Sequence, residues 1–187
     1  MKGSLHHITP FSPSLSHQKK MAKLIFLIFL CVTTLANLAT SQTPLVSNFC
    51  HRAVFVENFC LKVLGSDNRS KTAKTDHDLE GITIDLGSKT VRAVINKAIS
   101  LSQSAKDPNV KAAISSCLQD YNLLSLDFSS IKAAFQSGGT IGQQGADARL
   151  AVSKCNQAFG DKKLPNPLSG DNDNLLSIIQ VILVNGV

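Results

Sequence analysis

"DPNVKAAISSCLQDYNLLSLDFSSIKAAFQSGG", Asp107 to Gly139, decides the fold. Apolar residues recur at Val110, Ile114, Cys117, Tyr121, Leu124, Phe128, Ile131 and Phe135, stepping four, three, four, three without a break. That is one seam of a helix about seven turns long, packed against partners in bundle fashion. Asp107 is a cap residue with Pro108 at the first helical position, and Ser137-Gly138-Gly139 stops the helix.

Working outward, Asp78 to Ala105 carries Leu79, Ile82, Leu86, Val94, Ala98 and Leu101 on or near one face, a second long helix whose first half Gly81 and Gly87 weaken. Beyond the glycine break, Ala148, Val152, Cys155 and Phe159 again step four, three, four. "GDKKLPNPLSGD", Gly160 to Asp171, reads as a proline- and glycine-punctuated loop. A last helix is expected from about Asp173 to Val184, with Leu175, Ile178, Ile179 and Ile182 facing in. Only the connection at Ala105 to Pro108 looks very tight. Leu45 to Leu64 is apolar in short bursts and predicts a helical hairpin ahead of the bundle. No alternating-strand segment of any length occurs. The expected fold is all-α: an up-down-up-down four-helix bundle with an N-terminal helical hairpin.

The beginning of the chain has another character. Lys19, Lys20 and Lys23 precede the apolar run Leu24 to Val32, and the small residues of "NLATSQ" follow, with Ala39 three positions before a cut after Ser41. This is the pattern of a secretory signal. Thr33 and Thr34 interrupt the run well short of the roughly 20 residues of a membrane span. Residues 1–20 read as an upstream extension, 21–41 as a signal peptide starting at Met21, and 42–187 as one domain. Within it, 42–77 make the hairpin and a linker, and 78–187 the bundle. Four lysines leave with the leader, so the formal charge falls from +6 to +2, with 13 acidic residues remaining. So small an excess removes the basis for nucleic-acid binding, and no membrane attachment is expected after cleavage.

Four cysteines remain, Cys50, Cys60, Cys117 and Cys155, an even number in an oxidising compartment. Their spacings do not suit zinc, which needs close pairs such as C-x2-C, and no metal or cofactor is expected. The two helices on either side of the Ser137–Gly139 break turn back on each other. The midpoint of Cys117 and Cys155 is residue 136, so the two stand at one height and can clamp the pair. Cys50 and Cys60 are left to each other. "TDHDLE", Thr75 to Glu80, gathers Asp76, His77, Asp78 and Glu80, and the choice there is between an acid–base or metal site and a polar helix start. The helix start is favoured, since Thr and Asp cap free N–H groups and acids complement the dipole. "SGGTIGQQG" lacks the strand and lysine of a phosphate loop and suits a flexible hairpin tip, a contact surface or a plain linker. Asn68-Arg69-Ser70 is a single N-glycosylation sequon. The residues thus describe a clamped helical bundle that acts by binding and not as an enzyme.

At this point the chain resembles the plant invertase and pectin methylesterase inhibitors. The matching pieces are "CHRAVFVENFCLKVLGSDNRS" with Cys50 and Cys60, then "CLQDY" from Cys117 to Tyr121, then "CNQAF" from Cys155 to Phe159, in that order over Leu45 to Val187. The resemblance implies a four-helix bundle with an N-terminal hairpin, and disulfides joining first to second and third to fourth cysteine. It also implies a secreted protein of the apoplast or cell wall, with the vacuole as the alternative. There it would form a 1:1 complex with a carbohydrate enzyme, pectin methylesterase or acid invertase, and block the substrate cleft. Studied invertase inhibitors carry Pro-Lys-Phe near the tip between the second and third bundle helices. Here Ser137 to Gly142 reads Ser-Gly-Gly-Thr-Ile-Gly, and Lys154-Cys155-Asn156-Gln157 replaces the usual Thr-Cys-Glu-Asp/Glu. The missing triplet slightly favours pectin methylesterase over acid invertase. Lys111, Gln119, Asn122 and Lys132, on the polar face of the 107–136 helix, are the candidate partner contacts, against an ordinary solvated face. A carrier for a small apolar ligand in the bundle core, allergen-like and without inhibitory activity, is the competing class, and a passive wall protein a third.

Overall fold

The computed structural model describes residues 42–186. The extension and the signal peptide expected within residues 1–41 lie outside it. The described elements are α1 (Pro44–His51), α2 (Glu57–Ser66), α3 (Asp76–Ser104), α4 (Pro108–Ser137), α5 (Gly142–Gly160) and α6 (Ser169–Asn185), with short 3-10 turns at Val54–Val56 and Asn68–Lys71. Helices α3 to α6 form the bundle. Each packs on its neighbours in the chain, and α6 closes the ring against α3. No strand occurs among the described residues.

Helix α4 is the one the periodicity describes. Asp107 caps it by accepting from the Asn109 N–H, Pro108 opens it, and Gly138, in the left-handed region at φ 70°, ends it. All the seam positions from Ile114 to Ile131 are buried; Val110 and Phe135, at the ends, are half-buried. Helix α3 begins at a capping box, in which Thr75 accepts from the Asp78 N–H and Asp78 accepts from the Thr75 N–H. "TDHDLE" is thus a helix start. A Cβ on Gly87 would lie 2.1 Å from the Phe128 ring, so this glycine is the seat of an aromatic knob from α4. Gly87→Ala is expected to destabilise by about 1–3 kcal/mol through overpacking, in spite of alanine's better helix propensity. Gly142→Ala, where the added carbon meets nothing within 4 Å, is expected to be neutral or stabilising in the same urea titration.

Two connections differ from expectation. The glycine-rich tip is short, because α5 starts at Gly142: buried Ile141 anchors the turn, and its carbonyl accepts from the Gly145 N–H. Gly145 sits against Leu183, where a Cβ would come within 2.3 Å, so it serves close packing of α5 on α6. Helix α6 starts four residues before Asp173, at Ser169, because Asn172 belongs to the core. Its amide oxygen accepts from the Tyr121 hydroxyl at 2.5 Å, and its amide nitrogen donates to Asn156 at 2.6 Å and faces Cys155 Sγ at 3.4 Å. Burial raises the Tyr121 pKa, so the phenol stays a neutral donor. A buried polar residue in a Pro/Gly-rich stretch is invisible to apolar periodicity.

Both disulfides pair as expected, Cys50 with Cys60 and Cys117 with Cys155, the latter with Cα atoms 4.4 Å apart. The α1–α2 hairpin adds a second apolar cluster. Val46, Phe49, Cys50, Cys60 and Leu64 pack with Leu79 and Ile82 of α3 and Val181 of α6. Arg52 pins it, donating to Asp76 at 2.7 Å and Asn185 at 2.6 Å.

Candidate functional site

Helices α4 and α5 are clamped face to face by the buried Cys117–Cys155 bond, which also sets their register. Leu123, six residues beyond Cys117, is therefore level with Arg149, six residues before Cys155. Leu150 is the next residue. On α4, Gln119, Asn122, Leu123 and Leu126 stand at i, i+3, i+4 and i+7, which places them on one helix face. All four are exposed, Leu123 by 53 % and Leu126 by 64 %, and Leu150 on α5 by 53 %. These are large apolar side chains that folding leaves in water.

The charges around them define a seam. Asp120 feels Lys154 of α5, and Asp127 feels Asp147 of α5, so these residues face each other across the outer groove between the helices. Leu123 lies between Asp120 and Asp127, three and four residues from each. Leu150 lies between Asp147 and Lys154 with the same spacing. Leu123 and Leu150 thus stand between charges along the outer seam, while Leu126, nine residues from Cys117, lies further round α4 on its solvent side. Burial holds the Asp120 and Asp127 carboxyls above their ordinary value of 3.8, and the charge of Asp147 pushes Asp127 further in the same direction. Gln143 donates to Asp147 at 3.0 Å.

A carboxyl held up in the fold keeps its proton more readily there than in the unfolded chain. Its contribution to stability is greatest below 3.8 and declines as pH rises through the raised value. Asp127→Asn removes that decline. The melting temperature of the variant should overtake that of the parent as pH goes from about 3 to about 7, and an unchanged difference across that range would contradict the assignment.

The four residues singled out from sequence do not form one patch. All are exposed. Gln119 and Asn122 border the leucines. Lys111 lies eight residues from Gln119, about 12 Å along the axis. Lys132 turns the other way, toward α3. Its ammonium donates to Asp85 at 2.9 Å, and Asp85 also accepts from Arg69 at 3.0 Å, which in turn holds Asp67 at 2.8 Å. The two cations keep the Asp85 carboxyl below its ordinary value. This chain of charges crosses an open cleft of about 350 Å3 between α3 and α4, walled by His77 stacked 4.1 Å from Phe135. It ties the Asn68–Lys71 turn to both helices.

Apolar periodicity had no place for Leu123, Leu126 and Leu150. The signal was there, since α4 holds three leucines, Leu118, Leu123 and Leu126, beyond the Leu124 of its seam. Phe55, 94 % exposed on the turn inside the Cys50–Cys60 loop, is another apolar side chain left outside, over a cleft of about 310 Å3 with Arg149 and Leu176. The bundle axis is filled by Tyr121, Leu124, Phe128, Ile131 and Phe159. The more apolar cleft, of about 330 Å3, is open at the bundle end by Leu101, Val110 and Pro165.

The comparisons agree with this architecture. The solved structure of mutant form A of a pectin methylesterase inhibitor from Arabidopsis superposes with a TM-score of 0.65 at 18 % identity, over 77 % of this chain and 96 % of that one. A pectin methylesterase inhibitor from Arabidopsis thaliana superposes with a TM-score of 0.57 at 17 % identity, over 75 % and 93 %. At such identities the likeness shows a shared fold. No curated protein matches at a significant level. The sequence profile described as Plant invertase/pectin methylesterase inhibitor matches residues 44–183, nearly all of the described chain, and the protein therefore belongs to that family.

Proposed function

We propose that this protein is a secreted inhibitor of a plant cell-wall pectin methylesterase, acting by steric occlusion of the substrate cleft in a 1:1 complex. Family membership supports an inhibitor of a wall carbohydrate enzyme. The solved pectin methylesterase inhibitors of the same fold, and the absence of Pro-Lys-Phe at the α4–α5 tip, favour pectin methylesterase over acid invertase.

The observation that carries the choice of surface is the exposure of Leu123 and Leu150 beside the outer α4–α5 seam, with Leu126 further round the same exposed side of α4. A surface that binds protein combines a desolvated apolar centre with a polar rim. Here Gln119, Asn122, Asp120, Asp127, Asp147 and Lys154 supply the rim. The carboxylates suit basic groups on the partner. The disulfide and the packing of α4 on α5 hold the surface in shape, so little ordering entropy is lost on binding. Lys111 is an outlying contact of this face. Lys132 lies outside this face, on the α3–α4 side, where it is paired with Asp85.

Mixing the mature chain, residues 42–187, with a purified plant pectin methylesterase at mildly acidic pH should give a new species with the summed mass of one copy of each. Two separate species at micromolar concentration would remove this reading.

A further inference from the structure

We infer that Asn68 carries an N-linked glycan, and that it is attached before the chain folds. The inference rests on the secreted reading above.

Asn68 opens the 3-10 turn Asn68–Lys71 and is exposed, and its side chain makes no hydrogen bond among the described residues. The turn is built around Asp67, whose carboxylate accepts from the Arg69 N–H at 2.9 Å and from the Arg69 guanidinium. The acceptor asparagine is therefore free of structural duties. Its partner in the sequon behaves differently. Ser70 is 1 % exposed, and its hydroxyl has no hydrogen-bond partner among the described residues.

A buried hydroxyl without a partner destabilises a fold relative to a plain methyl group at the same place. The folded protein thus gives Ser70 nothing to do that alanine would not do better. The sequon gives it a use, because transfer to Asn68 requires a hydroxyl two residues on. That hydroxyl can be reached only while the segment is unfolded. The turn packs on α2 and on α3, and α3 follows it in the chain. During synthesis the sequon emerges before α3, one of the two helices the turn packs on, is complete. Transfer in that interval forms a bond between the Asn68 amide nitrogen and the anomeric carbon of a lipid-linked sugar, breaks that carbon's bond to the pyrophosphate oxygen, and releases the lipid pyrophosphate together with the amide proton. The exposed position of Asn68 then lets the glycosylated chain fold.

The test is synthesis of the full chain, started at Met1 and separately at Met21, in the presence of endoplasmic-reticulum microsomes. The expected result is a protease-protected product with a single endoglycosidase-sensitive mass shift. That shift should be lost in Asn68→Gln and Ser70→Ala and retained when dithiothreitol keeps both disulfides open. Purified Ser70→Ala should melt at the same temperature as the unglycosylated parent or higher. A protected chain without the shift overturns the inference, as does a shift that disappears under dithiothreitol. A clearly lower melting temperature for Ser70→Ala would show that the hydroxyl has a structural task and would remove the argument's basis. A chain that is not protected at all defeats the secreted reading and the glycan with it.

Discussion

Replacing Cys117 and Cys155 by alanine together lowers the unfolding free energy by about 4 kcal/mol, more than any other change that leaves the apolar core in place. The bond closes a loop of 38 residues, and in the chain-entropy model the loss scales with the logarithm of loop length. The shorter Cys50–Cys60 loop, with a separation of 10, gives about 3 kcal/mol by the same reasoning. The longer closure also has local partners. The Tyr121 hydroxyl lies 3.1 Å from Cys155 Sγ, and Asn172 lies 3.4 Å from it, so the double variant strips contacts from a buried polar group as well. Urea midpoints of the two double variants, at constant m-value, rank the bonds. A larger loss for the Cys50/Cys60 pair would mean that the hairpin, and not the α4–α5 clamp, dominates stability.

The second large effect concerns binding and leaves the fold alone. Leu123→Asp combined with Leu126→Asp should weaken inhibition by about a hundredfold or more, since truncation at a binding centre alone costs 2 kcal/mol or above and a carboxylate there must also be desolvated. Both positions face solvent in the free protein, so the melting temperature should stay within about a degree or two. Lys132→Ala is the control on the opposite side of α4. It breaks the pair with Asp85 and should change inhibition far less. Equal inhibition by the leucine variant and the parent would exclude the α4–α5 seam. A collapse for Lys132→Ala would move the binding surface to the α3–α4 cleft.

Much of the fold is legible in the sequence because one physical pattern repeats. Uninterrupted four–three spacing on α4 places a long helix in a bundle, and the midpoint of Cys117 and Cys155 then fixes which cysteines meet. What escapes the pattern has identifiable causes. Asn172 starts α6 early through hydrogen bonds to Tyr121 and Asn156, residues far away in the chain. Gly145 looks like flexible tip composition, yet it is the small residue that lets α5 approach Leu183. At the candidate site, the helical face holding Gln119 and Asn122 follows from periodicity alone. The pairing of Lys132 with Asp85 depends on the rotation of α4 against α3, which spacing on one helix does not encode. The leucines were countable as surplus. Their alignment across two helices needed the register that the disulfide supplies.

The most direct measurement titrates the oxidised 42–187 chain against a plant pectin methylesterase and a plant acid invertase side by side at mildly acidic pH. The account predicts that pectin methylesterase activity is lost near an equimolar ratio while invertase activity persists. Pectin methylesterase activity that is unaffected by excess protein, with far-ultraviolet circular dichroism still showing a folded helical chain, would contradict it.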